Sequence, residues 1–272
     1  MSASSQFYAL AISEVRPETD SAICVSFDVP PHLRENFRFI QGQFLTLKVI
    51  IDGEEVRRSY SICSNACDQQ LRVGIKRVRN GAFSNYANDN FETGDTIDVM
   101  PPQGNFFTPL NPANEKNYMC IAAGSGITPV LSQIATILDT EPCSRVTLIY
   151  GNRRSTSVMF KEELCFLKNR YMTRLQWINI MDEEDQGSDL FNGIIDNKKG
   201  FALANARLID IASTDEAFIC GPEAMMSEVS RGFRLEGLTE SNIHFELFAN
   251  SSADARAILQ KTQQRIETYG EQ

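Results

Sequence analysis

The chain has 272 residues, 42% of them hydrophobic, which is enough to bury the cores of two domains. With 35 acidic against 26 basic side chains it carries a net charge of −9, which argues against nucleic acid or an anionic membrane as a partner. A mean hydropathy of −0.24 and the lack of a long apolar run argue against a membrane span.

The opening, MSASSQFYAL, lacks the basic start and apolar run of a secretory signal. Seven scattered cysteines, at 24, 63, 67, 120, 143, 165 and 220, read as reduced thiols rather than a disulfide framework, so the expected compartment is the cytoplasm. Strand patterns follow at 7–15, 22–29, 43–51, 56–62, 70–78 and 95–100. Turn signals separate them: RPETD, PPHLRENF, IDGEE and SNACDQQ. Six short strands in about one hundred residues predict a small antiparallel β-barrel. One short helix is expected at 84–91, after Gly81. TPLNPANEKN, polar with two prolines, reads as a linker.

Beyond the linker, buried strands alternate with amphipathic helices. YMCIAAG precedes a helix whose apolar stripe is Val130, Leu131, Ile134, Ile137 and Leu138. VTLIYG precedes a helix around FKEELCFLKNRY. LQWINIM leads into a polar excursion from 182 to about 214, and AFICG, PEAMMSEVSRGF and IHFELF follow. This alternation predicts a five-stranded parallel sheet wrapped by helices. The expected organisation is a barrel domain at 1–110, an α/β domain at 114–248 and a polar tail or linker at 249–272.

Several local patterns carry chemistry. In AAGSGITP, Gly124 and Gly126 join a strand to a helix and allow close backbone approach to a pyrophosphate. Thr128 is the expected N-cap and Pro129 the first helical residue. The pattern is G-x-G-x-x-P, not the common G-x-G-x-x-G, and a glycine turn without a ligand is an equal alternative. Gly81 and Ser84 in NGAFSNY suit a second phosphate or an ordinary capped turn. Cys220 and Gly221 end a strand before Pro222, at the edge where open parallel sheets bind ligands. Glu246 in HFELF is a carboxylate inside an apolar strand.

Taken in order, R-x-Y-S, G-x-F-S, G-S-G-I-T-P, Y-G-N-R and C-G-P resemble the ferredoxin–NADP reductase superfamily over nearly the whole chain. Within it, RRSYSIC, MPPQGNF, IAAGSGITP, TLIYGNR, DEAFICGPEAMM and IHFELF look most like the reductase components of phenylacetyl-CoA epoxidase systems. The resemblance implies an FAD-binding barrel, a nicotinamide-dinucleotide domain, and electron transfer from NADH or NADPH through FAD to an iron–sulfur acceptor. A ferredoxin or ferredoxin domain and an oxygenase component are the implied partners.

By the same resemblance Arg58 pairs with the flavin pyrophosphate. Ser59 and Tyr60 lie along the flavin, and Ser61 hydrogen-bonds near its N5. Alternation puts Tyr60 and Ser61 on opposite faces, so the strand is expected to end or twist at Ser61. Gly74, Ile75 and Lys76, with Gly81, Ala82, Phe83 and Ser84, correspond to further flavin contacts. Gly124, Gly126, Thr128, Pro129, Asn152, Arg153, Cys220, Gly221 and Pro222 correspond to dinucleotide contacts. Ser61, Cys220 and Glu246 are the implied catalytic residues, and Phe248 either covers the flavin or joins the core.

The related reductases carry a two-iron–two-sulfur domain with C-x4-C-x2-C spacing, which this chain lacks, so no cluster or other metal is expected in it. Acidic residues 182–185 would repel a 2′-phosphate, whereas Arg153 and Arg154 would attract one, which tilts the expectation slightly to NADH. A standalone ferredoxin or flavin reductase and a non-catalytic dinucleotide-sensing subunit are the alternative functions.

Overall fold

The computed structural model describes residues 6–248, so the tail at 249–272 lies outside the described residues. Six strands form the first unit: β1 Tyr8–Thr19, β2 Ala22–Asp28, β3 Phe44–Ile51, β4 Glu54–Ser61, β5 Leu71–Lys76 and β6 Thr96–Val99. Every ladder is antiparallel, in the order β4-β3-β6-β1-β2-β5. A bridge between Ile62 and Val73 joins the two end strands and closes the barrel. Inward-facing Leu10, Val25, Leu45, Leu47, Val73, Ile75 and Val99 fill it, and Phe83 on helix α1, Ala82–Asn90, packs into the same core.

Strand β1 runs through RPET, which the sequence marks as a turn. Pro17 is tolerated because β6 pairs only with Tyr8–Ala11, so the missing N–H faces an unpaired side.

The second unit alternates β7 Asn117–Ala123, α2 Ile127–Thr140, β8 Arg145–Asn152, α3 Lys161–Arg170, β9 Leu175–Met181, α4 Asn197–Asn205, β10 Glu216–Cys220, α5 Glu223–Leu235 and β11 Ile243–Glu246. The sheet is wholly parallel, ordered β11-β10-β7-β8-β9. Strand order reverses at β7, and open sheets bind ligands outside the carboxyl ends of their strands at such a point. Helix α4 falls inside the expected polar excursion. Only Leu203 of its nine residues is buried, which leaves little apolar periodicity to read, although Asp196 caps it by accepting from the Lys199 amide at 2.7 Å.

Helix α2 holds the two units together. Residues 127–138 are all buried, not only the apolar stripe, because the sheet covers one face and the barrel the other. Its polar positions bond the barrel: the Ser132 hydroxyl donates to the Ser64 carbonyl at 2.7 Å, and Thr136 accepts from the Ala66 amide at 3.0 Å. Gln133 donates to the Phe106 carbonyl. Glu163 on α3 adds ion pairs to Arg16 at 2.7 Å and Arg72 at 2.8 Å, both on the barrel.

Candidate active site between barrel and sheet

Strand β4 ends at Ser61, and from there the chain crosses to the closing seam. Extending the antiparallel Ile62–Val73 bridge by one residue sets Ser61 opposite Gly74. A Cβ on Gly74 would stand 2.8 Å from Thr128 Cγ2 and 2.9 Å from the Phe160 ring, so Gly74 lets the barrel seat against the start of α2. A Cβ on Gly126 would fall 2.1 Å from the Cys220 carbonyl oxygen, so the 124–126 turn lies directly on the end of β10. Parallel register pairs Cys220 with Glu246 on β11. Consecutive close contacts and register pairs therefore link Ser61 to Glu246 along one seam between the units.

Ser61 is buried, 3% exposed, and its hydroxyl makes no hydrogen bond among the described residues. Burial pushes the Cys220 thiol well above its usual range, and the nearby Glu246 charge pushes it further. Glu246 itself is raised to about 8 by burial, so near neutral pH its carboxyl is mainly protonated. Arg58 and Tyr60 share a face. Tyr60 packs at 5.5 Å from Phe83, and burial raises its hydroxyl pKa despite Arg58. Arg58 donates to the Arg57 carbonyl at 2.7 Å and has no carboxylate partner among the described residues, whereas Arg57 pairs with Glu55. Ser59 points elsewhere, its hydroxyl bonded to Thr46 at 3.1 Å.

At α1 the Ser84 hydroxyl accepts from the Val78 amide at 3.1 Å and is occupied within its own turn. The first-turn amides of Ala82, Phe83 and Ser84 precede any intrahelical acceptor and face the helix's positive end. The side chains of Ile75 and Phe83 belong to the barrel core, which leaves their backbones to meet a ligand.

The glycine turn differs from expectation in one respect. Helix α2 begins at Ile127, so Gly126 is the cap and Pro129 the third helical residue, still within the first turn where a missing N–H costs nothing. Thr128 donates to the Ser125 carbonyl at 3.0 Å instead of capping. Gly124 has φ +53°, and a Cβ on it would be 3.6 Å from Lys76 Nζ of the barrel. Lys76 forms no ion pair among the described residues. Burial, then the charge of Arg153, lowers its pKa. Tyr150 donates to the Gly124 carbonyl at 2.9 Å, and the buried Asn152 side chain, two residues on along β8, lies beside its hydroxyl. Gly221 also meets Ala123 closely, while Pro222 is exposed. Phe248 is 49% exposed and outside the core.

The seam thus brings together helix starts with free first-turn amides on both units, an unpaired hydroxyl and a protonated carboxyl. Sequence reasoning missed Thr136, Ser132 and Gln133 as the joint between the two units. Their polarity on a helix face was the available signal.

Residues 10–108 match the oxidoreductase FAD-binding domain, and residues 120–231 match the oxidoreductase NAD-binding domain. The chain belongs to this family of flavin- and nicotinamide-binding oxidoreductases. Within it, the chain is 46% identical over 242 residues to one of the subunits of 1,2-phenylacetyl-CoA epoxidase from Escherichia coli K12, covering 89% of this chain and 68% of that protein. It is 35% identical over 250 residues to the ferredoxin reductase component of 3-ketosteroid-9-alpha-monooxygenase from Rhodococcus rhodochrous, covering 90% and 66%. It therefore spans about two thirds of these relatives. A ferredoxin NADP+ reductase from Neisseria gonorrhoeae, solved with FAD and NADP, shares the fold at a TM-score of 0.74, with 20% identity over 89% of this chain and 99% of that one. Phthalate dioxygenase reductase does so at 0.66, with 22% identity over 88% and 67%.

Among the described residues no group of three His, Cys, Asp or Glu side chains is placed to hold a metal, and no helix is long and apolar enough to cross a membrane.

Proposed function

We propose that this chain draws electrons from a reduced nicotinamide through FAD and delivers them to an iron–sulfur protein or domain serving an oxygenase. The observation that carries this reading is the seam between the units along which Ser61, Gly74, Thr128, Gly126, Cys220 and Glu246 succeed one another. Bound FAD supplies the conversion nicotinamide lacks, since it takes two electrons as a hydride and releases them singly.

The chain's own groups hold and orient. Arg58 and the start of α1 suit the flavin pyrophosphate, and Tyr60 provides an aromatic wall. Ser61 offers a buried donor with no competing partner. Lys76 and the 124–126 turn suit the nicotinamide-dinucleotide pyrophosphate. Cys220 stays a neutral thiol, which packs without the nucleophilicity of a thiolate, and Glu246 holds a proton at the strand ends. Phe248 has the exposure needed to cover a flavin. The two curated relatives are named as parts of an epoxidase and a monooxygenase, which supports an oxygenase partner here. Seven free thiols support a reducing, cytoplasmic setting.

The test is spectroscopic. Purified protein should bind FAD stoichiometrically, bleach on anaerobic addition of NADH or NADPH, and recover its colour when an oxidised plant-type ferredoxin is added. Ser61→Ala should slow bleaching about 10- to 100-fold, the loss expected for one buried hydrogen bond. Protein that stays colourless with excess FAD refutes the reading.

A further inference from the structure

Strand β1 outruns its neighbour β6. It pairs with β6 only as far as Ala11, yet continues along β2 through Arg16, opposite Cys24, and Pro17, opposite Ile23. The next pair is Thr19 with Ala22, so Glu18 stands opposite no residue and forms a β-bulge. Bulges re-aim a side chain. Here the Glu18 side chain, 8% exposed, reaches the second unit: it accepts from the Phe160 amide at 3.0 Å and from Arg16 of its own strand at 2.7 Å.

Phe160 is unusual in its own right. It precedes helix α3 with φ +56° and ψ +30°, a left-handed conformation that bulky residues rarely adopt. Its side chain has no acceptor with which to cap the helix, and the Glu18 carboxylate holds the turn from the barrel instead. The ring is buried over Gly74. A Cβ on that glycine would stand 2.9 Å from Phe160 Cζ, 2.8 Å from Thr128 Cγ2 and 3.2 Å from Met159 Cε. An ordinary side chain at 74 could fill this hollow from within the barrel. Filling it from the second unit makes the contact depend on how the two units sit. A bulged glutamate, a left-handed phenylalanine and a strand glycine thus converge on one contact, and that contact adjoins the seam. Gly74 is the residue opposite Ser61, and Thr128 lies two residues beyond Gly126, which meets the Cys220 carbonyl.

We propose that Glu18 is a positioning residue for hydride transfer: by holding the Phe160 amide it fixes the ring over Gly74 and keeps the start of α2 seated on β5, across from Ser61. The inference rests on the reading of the seam as the place where nicotinamide meets flavin, and adds a residue that touches neither. Transfer between two held groups is steep in their separation, so a loosened seat costs rate at saturation. Affinity is spared, because the 124–126 turn and its contact with β10 stay whole.

The test reads the contact and its consequence separately. Hydrogen exchange of the Phe160 amide, followed by NMR on isotope-labelled protein, reports the Glu18 bond without turnover. Stopped-flow reduction of the FAD-loaded protein over a series of NADH or NADPH concentrations, whichever reduces wild type faster, separates the limiting rate from the apparent Kd. Glu18→Ala should speed exchange about 10- to 100-fold, as expected for one lost charge-assisted hydrogen bond. It should lower the limiting rate about tenfold and change Kd less than about twofold. Glu18→Gln keeps an acceptor oxygen and should retain both the protection and the rate within about threefold. Phe160→Leu keeps the amide but not the ring, so it should lose rate while its amide stays protected, and it carries the test if Glu18→Ala fails to fold. A limiting rate unchanged in folded Glu18→Ala and Phe160→Leu assigns the contact to stability alone and overturns the proposal. So does unchanged Phe160 exchange in Glu18→Ala, or a loss that falls on Kd instead of rate. Wild type that binds FAD but bleaches with neither coenzyme refutes the seam as a hydride-transfer site and the positioning role with it, even where exchange shows the Glu18 bond intact.

Discussion

Replacing Glu246 by Gln removes a titrating group and nearly preserves its shape. Its carboxyl is pushed up to about 8 by burial, against 4.5 for the free side chain. Between those values the folded chain binds more protons than the unfolded chain, so stability falls as pH rises. The contribution of neutral Glu246 is fully present below pH 4.5 and is lost progressively up to pH 8. At about 1.4 kcal/mol per pH unit, the swing is about 3 kcal/mol by pH 7 and approaches about 5 kcal/mol above pH 8. Glu246 belongs to β11, an edge strand of the sheet, and water reaching that edge trims the swing but not its sign.

Urea unfolding of wild type and Glu246→Gln at matched pH values from 5 to 9 isolates this term, because other titrations cancel between them. The two should be nearly equal at pH 5, and the variant should become the more stable by several kcal/mol at pH 8.5. A difference that stays below about 1 kcal/mol across the range would show that the carboxylate is solvated and would remove Glu246 as a proton reservoir. In the same variant, the rate of flavin reduction should lose any transition near pH 8.

Two further outcomes follow from packing. Gly126→Ala places a methyl 2.1 Å from the Cys220 carbonyl oxygen, so either the turn or β10 must move. We expect a loss of about 2–3 kcal/mol in stability and a larger proportional loss of nicotinamide affinity, measured by melting and by titration with ADP-ribose. Iodoacetamide at pH 8 should label the exposed Cys67, Cys143 and Cys165 in the native protein and spare the buried Cys24, Cys63, Cys120 and Cys220. Peptide mass mapping reads the pattern, and rapid labelling of Cys220 would contradict its raised thiol pKa.

Both sheets and their directions are legible in the sequence because the two periods differ. Alternating 10–12 and 71–75 read as barrel strands, and the continuous apolar run at 118–123 reads as a strand covered on both faces. Two features escape it. Strand β1 continues through Pro17 because its neighbour β6 is short, a fact of pairing that no local signal carries. Helix α4 buries too little to leave a stripe.

The site divides along the same physical line. Gly124, whose role is set by its own turn at φ +53°, is visible as a motif because that bend demands glycine locally, whereas Gly126, at φ −59°, needs glycine for the Cys220 carbonyl pressed against it. Gly74 lies inside a strand with an ordinary negative φ, and only the partner surface, Thr128 and Phe160, explains why a side chain fails there. The same holds for Ser132, Gln133 and Thr136, which look like the solvent face of α2 until the barrel covers them. A polar helix face that bonds the backbone of another unit fixes a distance more firmly than apolar packing alone, since each buried donor left without its acceptor costs about 1–3 kcal/mol. The separation between Ser61 and Cys220 is therefore set by α2, a helix that supplies neither residue.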